Sequence, residues 1–156
     1  MSEVLVNTFD IDGVIYFGEE HFGVRPCDMD IIITGRSFEQ RDETEKMLWS
    51  RGIYNRVMYN PLKRSDPTYS REASGKHKAE TIKELQKTHG YTVGMHFEDD
   101  QVQIDEIKKL STLFSSDISL FVEILVAIYR KRSSIVTLGP KYSVFHCIAG
   151  SRPLKE

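Results

Sequence analysis

Asp10 and Asp12 stand two residues apart where an apolar run ends, with Ile11 between them and Gly13 directly after. Two like charges at the mouth of a buried strand repel unless something positive sits between or above them. Further along, the apolar run 31–33 ends in Thr34-Gly35-Arg36, and another ends in Glu98-Asp99-Asp100. Lys76 and Lys78 lie at a loop–helix junction before that last run. The set comprises an acid pair, a hydroxyl beside a glycine amide, a lysine and a second acid cluster. Such a set suits a divalent cation and a phosphoryl group. Carboxylates from two strands can hold Mg²⁺ through one oxygen each, with water completing the octahedron. A phosphate beside those acids needs further neutralisation, which a lysine ammonium supplies, and hydrogen bonds, which Thr34 and the Gly35 N–H can supply. One aspartate of the first pair can then attack phosphorus, and the other can protonate the leaving oxygen and later activate water.

These residues need elements that bring them together. The segment 3–11 reads as a buried strand closed by a glycine turn, and 28–36 as a second, of the continuous apolar kind found in parallel sheets. Residues 37–52 read as a helix with a Ser37/Gln40 capping box, Met47 and Leu48 on one face, Trp49 as a packing residue and Gly52 as the stop. Residues 55–60 read as a third strand, and 61–78 as a loop rich in Pro, Ser and basic residues. A helix follows to Gly90 with Ala79, Ile82 and Leu85 in one stripe, then a strand over 92–100, then a helix carrying Ile104, Ile107 and Leu110 on one face. Strand–helix alternation of this kind argues for an α/β fold with a mostly parallel sheet covered on both faces. In such a sheet ligands collect at the carboxyl ends of the strands, where the polar residues named above fall.

The order and spacing of these motifs resemble the haloacid dehalogenase-like (HAD) superfamily of phosphatases. "FDIDGV" is similar to its DxDG motif, "IIITGR" to its strand ending in Ser or Thr, "SGKHKAETI" to its lysine at a helix start, and "MHFEDD" to its acidic pair after a strand. The likeness covers roughly residues 3–110. It implies a Rossmann-like three-layer fold and a Mg²⁺-dependent phosphomonoesterase working through an aspartyl-phosphate. By that resemblance Asp10 is the nucleophile and Asp12 the general acid/base. Asp12, Thr34, Gly35 and Lys78 contact the phosphate, and Asp10, Asp12 and Asp99 hold the metal, with Glu98 or Asp100 helping through water. Lys76 and Lys78 both fit the lysine motif, and Lys78 directly precedes the periodic helix. The same motifs also suit a catalytically silent HAD-like binding domain or a phosphotransferase.

Many HAD enzymes carry a large cap domain after the first or third motif, and neither interval here is long enough for one. An open site admits a phosphate carried on a large substrate, such as a nucleic-acid end or a protein, and the nearest likeness is to the phosphatase half of polynucleotide kinase–phosphatases. A nucleic-acid end or a nucleotide is therefore the expected substrate. Lys63, Arg64, Arg71, Lys76 and Lys78 outnumber Asp66 and Glu72 in the same region, a patch suited to flanking phosphates.

The chain has 156 residues, enough for one domain with a full core, and a net charge of −2, which argues against avid non-specific nucleic-acid binding. His77, His89, His96 and His146 have no metal-ligand spacing among them. Cys27 and Cys147 are expected as reduced thiols in a cytoplasmic setting. The run 120–129 contains Glu123 and is too short to span a bilayer, so no membrane association is expected. Residues 115–156 read as a C-terminal extension of the same domain, with a further apolar helix or strand and two short strands around a Gly-Pro turn.

Overall fold

The parallel sheet expected from the apolar runs is present in a computed structural model of the chain, which describes residues 4–18 and 23–113. Strands β1 (Val4–Phe9), β2 (Ile31–Ser37), β3 (Val57–Asn60) and β4 (Tyr91–Phe97) form one sheet in the order β3-β2-β1-β4. Every pairing is parallel. Helices α1 (Arg41–Ser50), α2 (Arg71–Thr88) and α3 (Gln101–Leu113) complete the described elements. The C-terminal elements expected beyond residue 114 lie outside the described residues.

Parallel strands covered on both faces must bury both sets of side chains, and Ile31, Ile32 and Ile33 do so. Ile31 and Ile33 join Val6, Val93, Ile82 and Leu85 on the α2 side. Ile32 joins Phe9, Phe97, Leu48 and Ile53 on the α1 side, with Ile11, Val14 and Ile15 from the loop after β1. The result is a three-layer α/β arrangement of Rossmann-like type. Each fully buried Ile or Leu contributes about 1.5–3 kcal/mol of transfer free energy, so the two cores are what hold the strand ends in place.

Two local signals act as the sequence predicts. Ser37 and Gln40 form a capping box, although the first turn, Phe38–Gln40, is 3₁₀ before α1 proper begins. Gly52 ends the helix with φ +69°. The start of α2 differs from expectation. It begins at Arg71, inside the stretch read as loop, because the Ser70 hydroxyl accepts the Ala73 N–H and caps it. Gly75 lies within this first part of the helix, where glycine argues against helix. Its role is close packing, since a Cβ there would come within 2.8 Å of Gln103 Cα on α3. Trp49 is exposed rather than packed. Cys27, expected as a thiol, is disulfide-bonded, because cysteine pairing is set by the fold and not by sequence spacing. Among the described residues no helix is long and apolar enough to cross a membrane.

Candidate functional site

The strand order reverses beside β1. The chain runs from β1 outward through β2 to β3, then returns to place β4 on the other side of β1. The carboxyl ends of β1 and β4 therefore border the switch point, where open α/β sheets bind ligands. Asp10 follows β1 directly, and Glu98 and Asp99 follow β4. Ligand-type oxygens of Asp10, Glu98 and Asp99 lie within 4.8 Å of one another.

Lys78 enters this cluster from α2. Its side chain is 0 % exposed, and Nζ stands 3.0 Å from Asp10 Oδ1 and also contacts Glu98 Oε2. Oδ1 of Asp10 is buried and receives no aligned hydrogen bond, so its contact with Lys78 is an ion pair held by charge. Burial favours the uncharged form of every group here, and the partners decide the outcome. Burial pushes the Asp10 carboxyl up, Lys78 opposes it and Glu98 adds to it, leaving Asp10 at about 7. Burial would also lower the Lys78 ammonium, but Asp10 and Glu98 outweigh it and hold the charge on. Glu98 is kept below its ordinary range against burial, by His96 and Lys78. Asp99 is raised, by burial first and then by Glu98.

Lys78 answers one of three neighbouring carboxylates. A divalent cation would balance the other two, and an all-oxygen donor set suits a hard ion. Asp10, Glu98 and Asp99 therefore fit a metal site. Gly13 helps to shape it. Its φ is +81°, and a Cβ there would lie 2.0 Å from Asp99 Oδ2, so only glycine allows the Asp99 carboxylate to lie against the loop.

The other predicted residues take different places. Asp12 is not part of the carboxylate cluster. Its side chain is 55 % exposed and paired with Arg36 through Nε to Oδ2 at 2.8 Å and Nη2 to Oδ1 at 2.6 Å. The expectation of Asp12 as a metal ligand through its carboxylate is thus not met by this arrangement, because Arg36 reaches it from β2 and takes both oxygens. Thr34 is buried and its hydroxyl accepts the Arg36 N–H at 3.1 Å. Gly35 and Arg36 line an open cleft of about 860 Å³, together with Asp10, Asp12, Asp99 and Arg64. Of the two candidate lysines, Lys78 meets Asp10, while Lys76 points outward and pairs with Glu80 at 4.0 Å. Asp100 serves as a helix cap, accepting the Val102 N–H at 2.9 Å, and binds Arg71 through two hydrogen bonds. Burial pushes the Asp100 carboxyl up, but Arg71 and the α3 amides outweigh it and bring it to about 2.

The basic stretch is consumed in the same way. Lys63 pairs with Glu39 at 3.6 Å and Arg71 with Asp100 at 2.6 Å, which leaves Arg64 as the cation of that stretch that lines the cleft with no ion pair among the described residues. The sequence reading missed Arg36 as the partner of Asp12, and Thr8 and His96 behind Glu98. The Thr8 hydroxyl and His96 Nδ1 are 2.9 Å apart, and His96 Nε2 is 3.6 Å from Glu98 Oε2.

Compared with known proteins, the chain matches no family model, no curated protein and no solved structure.

Proposed function

We propose that this chain is a Mg²⁺-dependent phosphomonoesterase of HAD type that works through an aspartyl-phosphate on Asp10. One observation carries the reading. Asp10, Glu98, Asp99 and Lys78, drawn from three separate elements, meet at the switch point beside an open cleft. Oδ1 is turned to Lys78 and Asp10 lines the cleft, so the other oxygen of Asp10 serves as the nucleophile. Mg²⁺ held by Asp10, Asp99 and Glu98 would supply charge neutralisation between the carboxylates and the phosphoryl oxygens.

Asp10 forms a bond to phosphorus as the ester P–O bond breaks, and the departing alkoxide takes a proton from Asp12. Water then attacks the acyl-phosphate, giving its proton to Asp12 and releasing phosphate. Asp12 performs both transfers from the cleft wall once Arg36 releases it and it has taken up a proton, and the attacking water returns that proton at the end of the cycle. Lys78 favours the ionised form of Asp10 against its burial and offsets the charge that accumulates beside it. Gly35 offers its backbone N–H to the phosphoryl oxygens, and the buried Thr34 hydroxyl fixes the turn that presents it.

The substrate is an accessible phosphate on a nucleic-acid end or nucleotide. The openness of the cleft, the lack of a cap among the described residues, and Arg64 on its wall support that class. The test is turnover of 3′-phosphorylated oligonucleotides, nucleotides and sugar phosphates with Mg²⁺. Release of phosphate from the first two, abolished by chelation and by Asp10→Asn, is expected. No turnover of any phosphomonoester would overturn the reading, and selective turnover of sugar phosphates would overturn the substrate class.

A further inference from the structure

β1 and β4 fall out of step before they reach the site. Val6 pairs with Val93, yet Thr8 pairs with His96, so β4 spends one more residue than β1 over this interval. An extra residue of this kind is a β-bulge, which reverses the face that the following side chains occupy. Val93 belongs to the core on the α2 side, while Met95 packs against the core on the α1 side. The shift places Phe97 in a stack on Phe9, with ring centroids 4.4 Å apart, and sets His96 opposite Thr8. Gly94 lies in this stretch, and a Cβ there would meet Asn7 Oδ1 at 3.1 Å.

The imidazole so delivered is 1 % exposed and lies between Thr8 and Glu98, with the Thr8 hydroxyl also 3.4 Å from the Met95 carbonyl, a longer contact than the one it makes with the ring. Nδ1 lies 2.9 Å from the Thr8 hydroxyl, and Nε2 lies 3.6 Å from Glu98 Oε2 with no hydrogen-bond partner elsewhere. Glu98 makes three other contacts. Its Oε1 accepts the N–H groups of Asp99 at 3.2 Å and Asp100 at 3.1 Å, and its Oε2 contacts Lys78. A bare Nε2 lone pair facing that carboxylate oxygen would repel it. A proton on Nε2 turns the contact attractive and leaves Nδ1 free to accept the Thr8 hydroxyl, so one neutral tautomer satisfies both neighbours.

We infer that His96 is a positioning residue, whose Nε2–H, aimed by the β4 bulge and the Thr8 hydroxyl, holds Glu98 in place and through it sets Lys78 against Asp10. The inference rests on the phosphatase reading for its kinetic consequence, and on geometry alone for the tautomer. Outer partners of this kind are worth roughly 10- to 100-fold in metal affinity or activity when removed.

Three measurements on the full chain test it. A long-range ¹H–¹⁵N correlation spectrum should show His96 with the proton on Nε2 and a bare Nδ1. His96→Leu should lower kcat on p-nitrophenyl phosphate and weaken Mg²⁺ binding by calorimetry, each roughly tenfold or more, with KM little changed. His96→Gln, which returns an N–H near the Nε2 position, should recover most of both losses. A proton found on Nδ1, or a His96→Leu protein equal to wild type in both kcat and Mg²⁺ affinity, would overturn the inference. If wild type turns over no phosphomonoester, the phosphatase reading fails while the tautomer and Mg²⁺ affinity still decide the role of His96. If His96→Leu does not fold, the spectrum of wild type and the His96→Gln protein decide it.

Discussion

Arg36 closes on Asp12 with two parallel hydrogen bonds, Nε to Oδ2 at 2.8 Å and Nη2 to Oδ1 at 2.6 Å, while Asp10, two residues earlier, turns inward to Lys78. Neighbouring acids are thereby given opposite surroundings, one wet and paired with an arginine, the other dry and paired with a lysine. This separation decides which acid should be sensitive to what. Asp12→Asn removes a pair exposed at one end, worth about 1 kcal/mol or less, so its melting temperature should stay within a few degrees of wild type. Its phosphatase turnover should fall by roughly 10²- to 10⁴-fold, the usual range for a lost acid/base. Thermal melts beside phosphate-release assays check both, and unchanged turnover would move the acid/base role elsewhere.

Lys78 is the opposite case. Removing one partner of a buried ion pair leaves the others uncompensated, at a cost of about 3–5 kcal/mol. Lys78→Met should therefore lower the melting temperature by roughly 10 °C for a chain of this size. Asp10→Asn in the same background should restore part of the loss, because it removes one stranded charge. Melting curves of the two single variants and the double variant provide the measurement. A Lys78→Met protein as stable as wild type would show that Asp10 and Glu98 need no cation from α2.

Gly13 separates site from scaffold. Its φ of +81° makes alanine strained there by about 1–2 kcal/mol, and the added Cβ would occupy the place of the Asp99 carboxylate. Gly13→Ala should melt only a few degrees lower, yet bind Mg²⁺ at least roughly tenfold more weakly. Calorimetric titration with Mg²⁺ tests this, and retained affinity would remove Asp99 from the metal site.

His77 predicts the acid limb of stability. Burial, with Lys78 adding to it and a hydrogen bond with the Met58 backbone opposing it, pushes its imidazole down to about 4 from 6.5. Between those values the unfolded chain binds the proton more strongly than the folded one, so stability rises with pH there. The contribution is complete above about pH 6.5, declines as pH falls, and is lost near pH 4. The loss is on the order of 2–3 kcal/mol, allowing for the partial exposure of the ring. His77→Gln should flatten the melting temperature against pH over that window, and an unaltered profile would contradict the assignment.

What could be read ahead of the structure follows from where hydrophobicity breaks. Asp10, Thr34, Gly35, Glu98 and Asp99 mark the ends of apolar runs, and a parallel sheet brings such ends to one edge. Lys78 was legible as the lysine heading a periodic stripe, although α2 begins earlier, at Arg71, because a serine cap and a packing glycine look like loop in sequence. The Arg36–Asp12 pair was not legible, since it joins a loop to the next strand through side chains whose directions depend on Gly13 and the turn it makes. His96 was hidden for a related reason. Strand alternation tells faces apart only while the register is regular, and the bulge in β4 resets it. Asp100 was read together with its neighbours because three acids in a row carry no mark of which one caps the helix.

The measurement that bears most directly on the whole account is a crystal structure of the protein soaked with Mg²⁺ and beryllium fluoride, a mimic of a bound phosphoryl group. The account predicts BeF₃⁻ bonded to a carboxylate oxygen of Asp10, with Mg²⁺ touching Asp10 and Asp99 and Lys78 still beside Asp10. Density for Mg²⁺ or BeF₃⁻ at some other carboxylate, with Asp10 untouched, would contradict it.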